Sequence, residues 1–458
     1  MRASGTVVLF GVSVLMIGGA CGGGGGSDKP KPPQPQTATV ARAGTGTGTV
    51  TSTPAGIACG DTCSASFTGG ASVTLLAETG ADSKFVGWSG ACAGLQNPCV
   101  VKMDAAAKVT ASFWHGGSGL PAPGAGGVAK PSGTAGNLQV LDWAGFAAAV
   151  SYSFDDAFPS QVAADNYAVI HATGVPVTYY VVPSQVAQHL DAWKQALADG
   201  NELGNHTANH CKVDGTGKLS TCLYGGTPAA GSTALSQITD ANTYLEETVG
   251  APGVWTLASP YGDANWNAPT EAAHMLLNRE VDYSGQKLGV PAGDLTKQFH
   301  VPSVLFGNQY GGLGDTAEVI EGRIDTVRSN KLWSIFLFHS LAPMDPTDAS
   351  TCCVVPAANV ATSLDYLKSL GDVWGGTVVD VGAYWVGQYL VAHAAQTTSG
   401  DKTTWTWTLP DNFPPGKCVR VKVDGGTLSQ GTDELVWDEH GFYEVALDAG
   451  ELTLTAAP

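Results

Sequence analysis

A chain of 458 residues exceeds the usual size of one domain, so two or three folded units are expected along it. Its 43% hydrophobic content suffices for ordinary globular cores, while 60 glycines and 25 prolines gather partly in stretches that read as tethers. A formal net charge of -18 argues against nucleic acid as a partner, because binding a polyphosphate depends on Lys and Arg displacing counterions.

Met1 and Arg2 precede an apolar run, Thr6 to Ile17, that is too short to span a bilayer comfortably and reads as an export signal. It ends in Gly18, Gly19, Ala20 and Cys21, which resemble the lipobox of bacterial lipoproteins, with Gly18 where a leucine-like residue is usual. The resemblance implies a lipoprotein signal peptide over residues 1–21 and a lipid anchor on Cys21, placing the exported chain at the periplasmic or cell surface. Gly22 is not acidic, which favours the outer membrane; an ordinary cleaved signal with an incidental cysteine is the alternative. Ten cysteines in an exported chain favour disulfides over thiols, and setting Cys21 aside leaves an odd number.

Residues 22–36 combine a glycine run with a stiffer proline run and read as a linker. Residues 37–114 hold short Val, Thr, Ala and Phe segments broken by Gly, Asp and Ser, the pattern of a small all-β unit. Within it Cys59 with Cys63 and Cys92 with Cys99 would close short loops that reinforce a small core. The runs PAGIACGDTC, FVGWSGACAG and VTASF resemble a β-rich repeat module of bacterial surface proteins, and Trp88 reads as its core. A second Gly/Pro linker follows over residues 115–137.

From 138 to 390 the pattern alternates. Val150 to Phe154 and Val175 to Val182 read as strands, and Gln161 to Gly174 and Val186 to Gly200 as helices. Such alternation predicts a parallel α/β barrel or a doubly wound sheet, either of which puts its site at the carboxyl ends of strands. Residues 391–458 return to short alternating segments and predict a C-terminal β-sandwich, with Trp405 and Trp407 on one strand face covering its core.

The candidate chemistry lies where strands end. Asp155 and Asp156 close the first strand, where one carboxylate can hold a metal while its neighbour takes a proton. His206 and His210 follow a strand over Asn201 to Gly204, and on a helical turn such a spacing puts both imidazoles on one face. One carboxylate and two imidazoles suit zinc, and also cobalt, nickel or manganese, with positions left for water and substrate. Ser259, Pro260, Tyr261 and Gly262 follow an apolar strand from Val254 to Leu257, and His339 closes another from Leu332 to Phe338.

In this order, S-F-D-D, H-T-A-N-H, S-P-Y-G and L-F-H resemble the polysaccharide deacetylase family, the NodB homology domain of carbohydrate esterase family four. The resemblance implies a distorted (β/α) barrel, flanked here by the small all-β domain and the β-sandwich. It also implies a metal-dependent hydrolase that removes acetyl groups from an N-acetylhexosamine polysaccharide or oligosaccharide. Carried across, Asp155 would be the general base, Asp156, His206 and His210 the metal ligands, and His339 the general acid, with Tyr261 offering its backbone N–H to the oxyanion.

Two positions depart from the family pattern. Ala258 stands where an arginine commonly orients the base; Arg279 is the candidate substitute, against the reading of an ordinary solvated arginine. The aspartate-tryptophan motif has only Asp282 as a loose match. Two rivals share these residues: an O-acetyl esterase acting on xylan, and a catalytically silent glycan-binding protein, which Ala258 favours.

Overall fold

The computed structural model describes residues 33–345 and 352–456. The export signal, Cys21 and most of the first linker lie outside the described residues. The alternating region closes into seven parallel strands: β1 (Ala148–Asp155), β2 (Thr178–Val181), β3 (Glu202–Asn205), β4 (Thr256–Ala258), β5 (Leu277–Val281), β6 (Val301–Leu305) and β7 (Leu332–Phe338). β7 pairs back onto β1, with Ala149 opposite Trp333 and Phe154 opposite Phe338, so this is a barrel and not a doubly wound sheet. All seven run the same way, and their carboxyl ends therefore share one rim.

Alternation along each strand sorts the side chains. Tyr179, Leu203 and Leu257 join a core with Trp193, Ile238, Ile324 and Leu364 from the surrounding helices. Their neighbours Tyr180, Ala258 and Leu277 belong to a second core, which runs through Trp333 and the helix Val378–Ala392 into the C-terminal sheets. That helix is buried on nearly every side, as expected of one that is apolar all round. It joins the barrel to the sandwich without a break in the core.

Ahead of the barrel, two four-stranded sheets pack around Val50, Val73, Trp88, Val109 and Phe113. The pairs Cys59–Cys63 and Cys92–Cys99 are bridged, and Trp88 is core. After the barrel come a five-stranded and a four-stranded sheet, and the short strand Gln139–Val140, from before the barrel, adds an edge to the smaller one. Trp407 is buried there and Trp405 half-buried against the same core.

The segment 115–137 has no helix or strand, yet it does not hang free as a tether. Arg420, buried in the C-terminal sandwich, donates to the carbonyls of Leu120 and Pro121 at 2.9 and 2.8 Å, and Ser118 donates through N and Oγ to Glu444, each at 2.7 Å. A buried guanidinium must find acceptors, and this chain segment supplies them. No described helix is long and apolar enough to cross a membrane.

Candidate active site

β1 ends on Asp155, and the chain then turns through Asp156 at φ 75 and Ala157 at φ 56. Two successive non-glycine residues in the left-handed region persist only where the surroundings hold them. Gln161 supplies that hold: its Nε2 donates to the carbonyl of Asp155 at 2.6 Å and to that of His339 at 3.0 Å. The turn after β1 is thereby tied to the turn after β7.

His206 and His210 leave the tip of β3 in a loop, not in the helical turn that their spacing suggests, with Thr207 at φ 65 and His210 at φ 52. Side chains compete with the helix here. Asn205 Oδ1 accepts from the Thr207 amide at 2.6 Å, Thr207 Oγ1 accepts from the His210 amide at 3.1 Å, and Gln237 accepts from the amides of Ala208 and Asn209. The two imidazoles still converge, with ring centroids 4.6 Å apart.

The Nε2 atoms of His206 and His210 each lie 3.7 Å from Asp156 Oδ1, and one donor atom from each of the three residues falls within 4.8 Å of the others. These separations are too long for hydrogen bonds and suit donors arranged around one ion at about 2.0–2.2 Å. Three further observations fit a divalent cation. Asp156 Oδ1 is buried and has no hydrogen-bond partner. Burial raises the Asp156 carboxyl despite the pull of His206 and His339, a penalty that a bound cation would offset. His206 Nδ1 lies 2.9 Å from the Ala258 carbonyl, so that it carries the proton and leaves Nε2 as the donor. Burial also pushes both imidazoles down to about 4, which keeps them neutral near neutral pH.

Beside this cluster, Arg279 donates through Nη2 to both carboxylate oxygens of Asp155. Arg279 is fully buried, so the reading of a solvated arginine is wrong. Arg279 on β5 sits opposite Ala258 on β4 in the strand register, and the small Ala258 side chain leaves the interior at that level to the guanidinium from the next strand. Its Cζ stands 5.1 Å from the Tyr180 ring centroid. Burial alone would raise the Asp155 carboxyl, but Arg279, His206 and His339 together hold it below its ordinary value.

Tyr261 follows β4 at φ 58, its ring 4.5 Å from that of His210, and its carbonyl accepts from Tyr283 Oη at 3.1 Å. His339 follows β7 with Nε2 at 4.0 Å from Asp156 Oδ2, on the partly exposed side of the cluster. Asp282 does not reach the cluster: its carboxylate accepts from Ser284 Oγ and the Lys287 amide, both at 2.6 Å, and organises its own loop.

A hairpin that begins directly after His210 was not foreseen. Cys211 and Cys222 are bridged across paired strands, and the hairpin returns Tyr224 to 6.3 Å from the His210 ring, where burial and the nearby Asp156 raise its hydroxyl. The spacing of the two cysteines was the available signal.

Residues 147–278 match the family model for polysaccharide deacetylase. None of the curated proteins matches the sequence. Similar solved structures include one from Mycobacterium smegmatis described as a polysaccharide deacetylase, 14% identical with a TM-score of 0.38, covering 60% of this chain and 100% of the other. A peptidoglycan deacetylase from Bacillus subtilis and a family 4 acetyl xylan esterase from Clostridium thermocellum are each 17% identical with a TM-score of 0.31, covering 51% of this chain and 89% of theirs. The matched span runs from the start of β1 into β5 and takes in Asp155, Asp156, His206, His210 and Tyr261, so that residues 147–278 form a polysaccharide deacetylase domain.

Proposed function

We propose that the chain is an exported, metal-dependent hydrolase that removes acetyl groups from an N-acetylhexosamine polysaccharide or oligosaccharide, of the chitin or peptidoglycan kind. The observation that carries this reading is the pairing of two unlike carboxylates at one strand tip. Asp155 is held ionised by Arg279, and Asp156 faces two neutral imidazoles.

A divalent ion on Asp156, His206 and His210, zinc before cobalt, nickel or manganese, would supply Lewis acidity toward an acetyl carbonyl and toward water. Asp155 lies 3.6 Å from His206 Nε2, at the edge of that ligand set, and in this reading takes the proton of the attacking water. In this reading the backbone N–H of Tyr261 would donate to the developing oxyanion. His339, with Nε2 at 4.0 Å from Asp156 Oδ2, would protonate the departing nitrogen, which an amide requires more strongly than an ester.

The silent glycan-binding reading rested on Ala258. Arg279 weakens it, because the base keeps a guanidinium partner. Three disulfides among the described residues support a site of action in an oxidising compartment beyond the inner membrane, consistent with a lipid anchor on Cys21. Acetate release measured side by side on chitooligosaccharide, peptidoglycan and acetylxylan tests the substrate assignment. Activity on the first two is the expected result, and activity confined to acetylxylan would move the protein to the O-acetyl esterases.

A further inference from the structure

Among the large apolar side chains that the described residues leave exposed, the aromatic ones are Tyr261, Tyr283 and Tyr310. They follow the carboxyl ends of β4, β5 and β6, three neighbouring strands, and so form an arc along one part of the rim that carries the Asp156 cluster. Apolar side chains scattered singly over a surface need no explanation, but aromatics gathered beside one site do.

The arc is held in shape by its own loops. Tyr283 Oη donates to the Tyr261 carbonyl at 3.1 Å. Asp282 accepts from Ser284 Oγ and the Lys287 amide, and Arg323 Nη2 donates to the carbonyls of Gly285 and Lys287 at 3.1 and 2.9 Å. The loop after β6 is closed by the Gly307 amide on the Gly314 carbonyl at 2.7 Å. Its tip rests on the loop after β5, where a Cβ on Gly311 would come within 2.9 Å of the Tyr283 carbonyl oxygen. That tip is a turn from Gln309 to Gly312 with Tyr310 at φ 53 and Gly311 at φ 81. The first central position of such a turn favours Gly, Asn or Asp, and a tyrosine there, 72% exposed, adds nothing to the core.

The Tyr261 ring is already covered, by His210 at 4.5 Å and by Lys212 Nζ at 5.2 Å from its centroid. Tyr283, 51% exposed, and Tyr310 are the rings left open. Together they offer at most about 300 Å² of free surface, against about 800 Å² on each side of a stable protein interface. A protein partner is poorly served by that area. A sugar ring suits it, because its apolar C–H face stacks on one aromatic ring while its hydroxyls stay at the wet edge. We propose that Tyr283 and Tyr310 form a stacking platform for rings of the substrate polymer that lie beyond the residue being deacetylated, on the β5–β6 side of the cluster. This rests on the deacetylase reading and adds to it a preference for longer chains. A disaccharide with one ring at the cluster has too few rings left to cover both tyrosines.

The test is isothermal titration calorimetry of the full chain carrying D155N, with chitobiose and chitopentaose as probes. The proposal expects the pentaose to bind at least about tenfold tighter than the biose, the worth of one or two aromatic stacks. Y283A/Y310A in the same background should lose that ratio, and Y283F/Y310F, which keeps both rings, should retain it. Y310G guards against a folding effect, since glycine suits the positive φ of the turn, and it should lose part of the ratio. An unchanged ratio in Y283A/Y310A or in Y310G would overturn the platform, and so would an absence of pentaose binding to D155N. Acetate release from chitopentaose is read in parallel in proteins that keep Asp155, where Y310G should raise KM and leave kcat in place. Platform-dependent pentaose binding in a protein that releases no acetate would uphold the platform and contradict the deacetylase reading instead.

Discussion

Arg279 reaches both carboxylate oxygens of Asp155 from the strand next to Ala258, and the two residues Ala258 and Arg279 sit opposite each other in the barrel register. The guanidinium that the family pattern places on one strand is thus supplied from the neighbouring one. Removing it leaves burial as the dominant influence on Asp155, and burial raises a carboxyl. In the metal-loaded enzyme, R279M is expected to move the acid limb of the kcat/KM profile upward by roughly 1–3 pH units. The double variant A258R/R279A, which returns the arginine to the other strand, is expected to bring the limb back toward the wild-type position. A limb that does not move in R279M would remove Arg279 from this role.

Glu202 lies inside the barrel, where it accepts from Thr178 Oγ1 at 2.7 Å, from Thr256 Oγ1, and from the Val379 amide at the start of the helix that joins barrel and sandwich, at 2.8 Å. Burial pushes its carboxyl from 4.5 up to about 7, against these three hydrogen bonds. The folded state therefore keeps a proton that the unfolded chain has lost, and stability falls as pH rises from about 4.5 to about 7, by at most about 3 kcal/mol. E202Q cannot ionise, and unfolding midpoints at pH 5 and pH 8 should differ less in the variant than in the wild type. Equal differences would show that Glu202 does not titrate in this window.

The Cys211–Cys222 bridge closes a loop with a sequence separation of 11, for which chain entropy suggests about 3 kcal/mol of stabilisation. The hairpin also starts at the residue after His210, so on the proposed reading loosening it loosens a metal ligand. C211S/C222S is expected to unfold at lower denaturant and to bind zinc at least about tenfold more weakly, as for loss of a ligand's supporting contacts. Loss of stability with unchanged zinc affinity would make the bridge purely structural.

The gathering of the candidate residues was legible in the sequence because each motif sits within a few residues of a strand tip, and a parallel barrel brings all such tips to one rim. Asp155, Asp156, His206, His210, Tyr261 and His339 are reached in that way. The role of Arg279 was open, because its partner Asp155 lies 124 residues away and only strand register decides which side chains face each other. The local shape of H-T-A-N-H was misread because Asn205 and Thr207 bond their own backbone and break the helical turn. The linker over 115–137 reads as loose by composition, and nothing local in it signals that the distant Arg420 needs its carbonyls.

Acetate release by D155N, compared with wild type at equal bound metal on chitooligosaccharide, tests the central claim that a strand-tip carboxylate beside a metal cluster drives hydrolysis. The account predicts that D155N keeps its metal and loses acetate release by about 10²- to 10⁴-fold, the range ascribed to a positioned general base. Acetate release in D155N equal to that of the wild type, or none from either protein with metal bound, would contradict it.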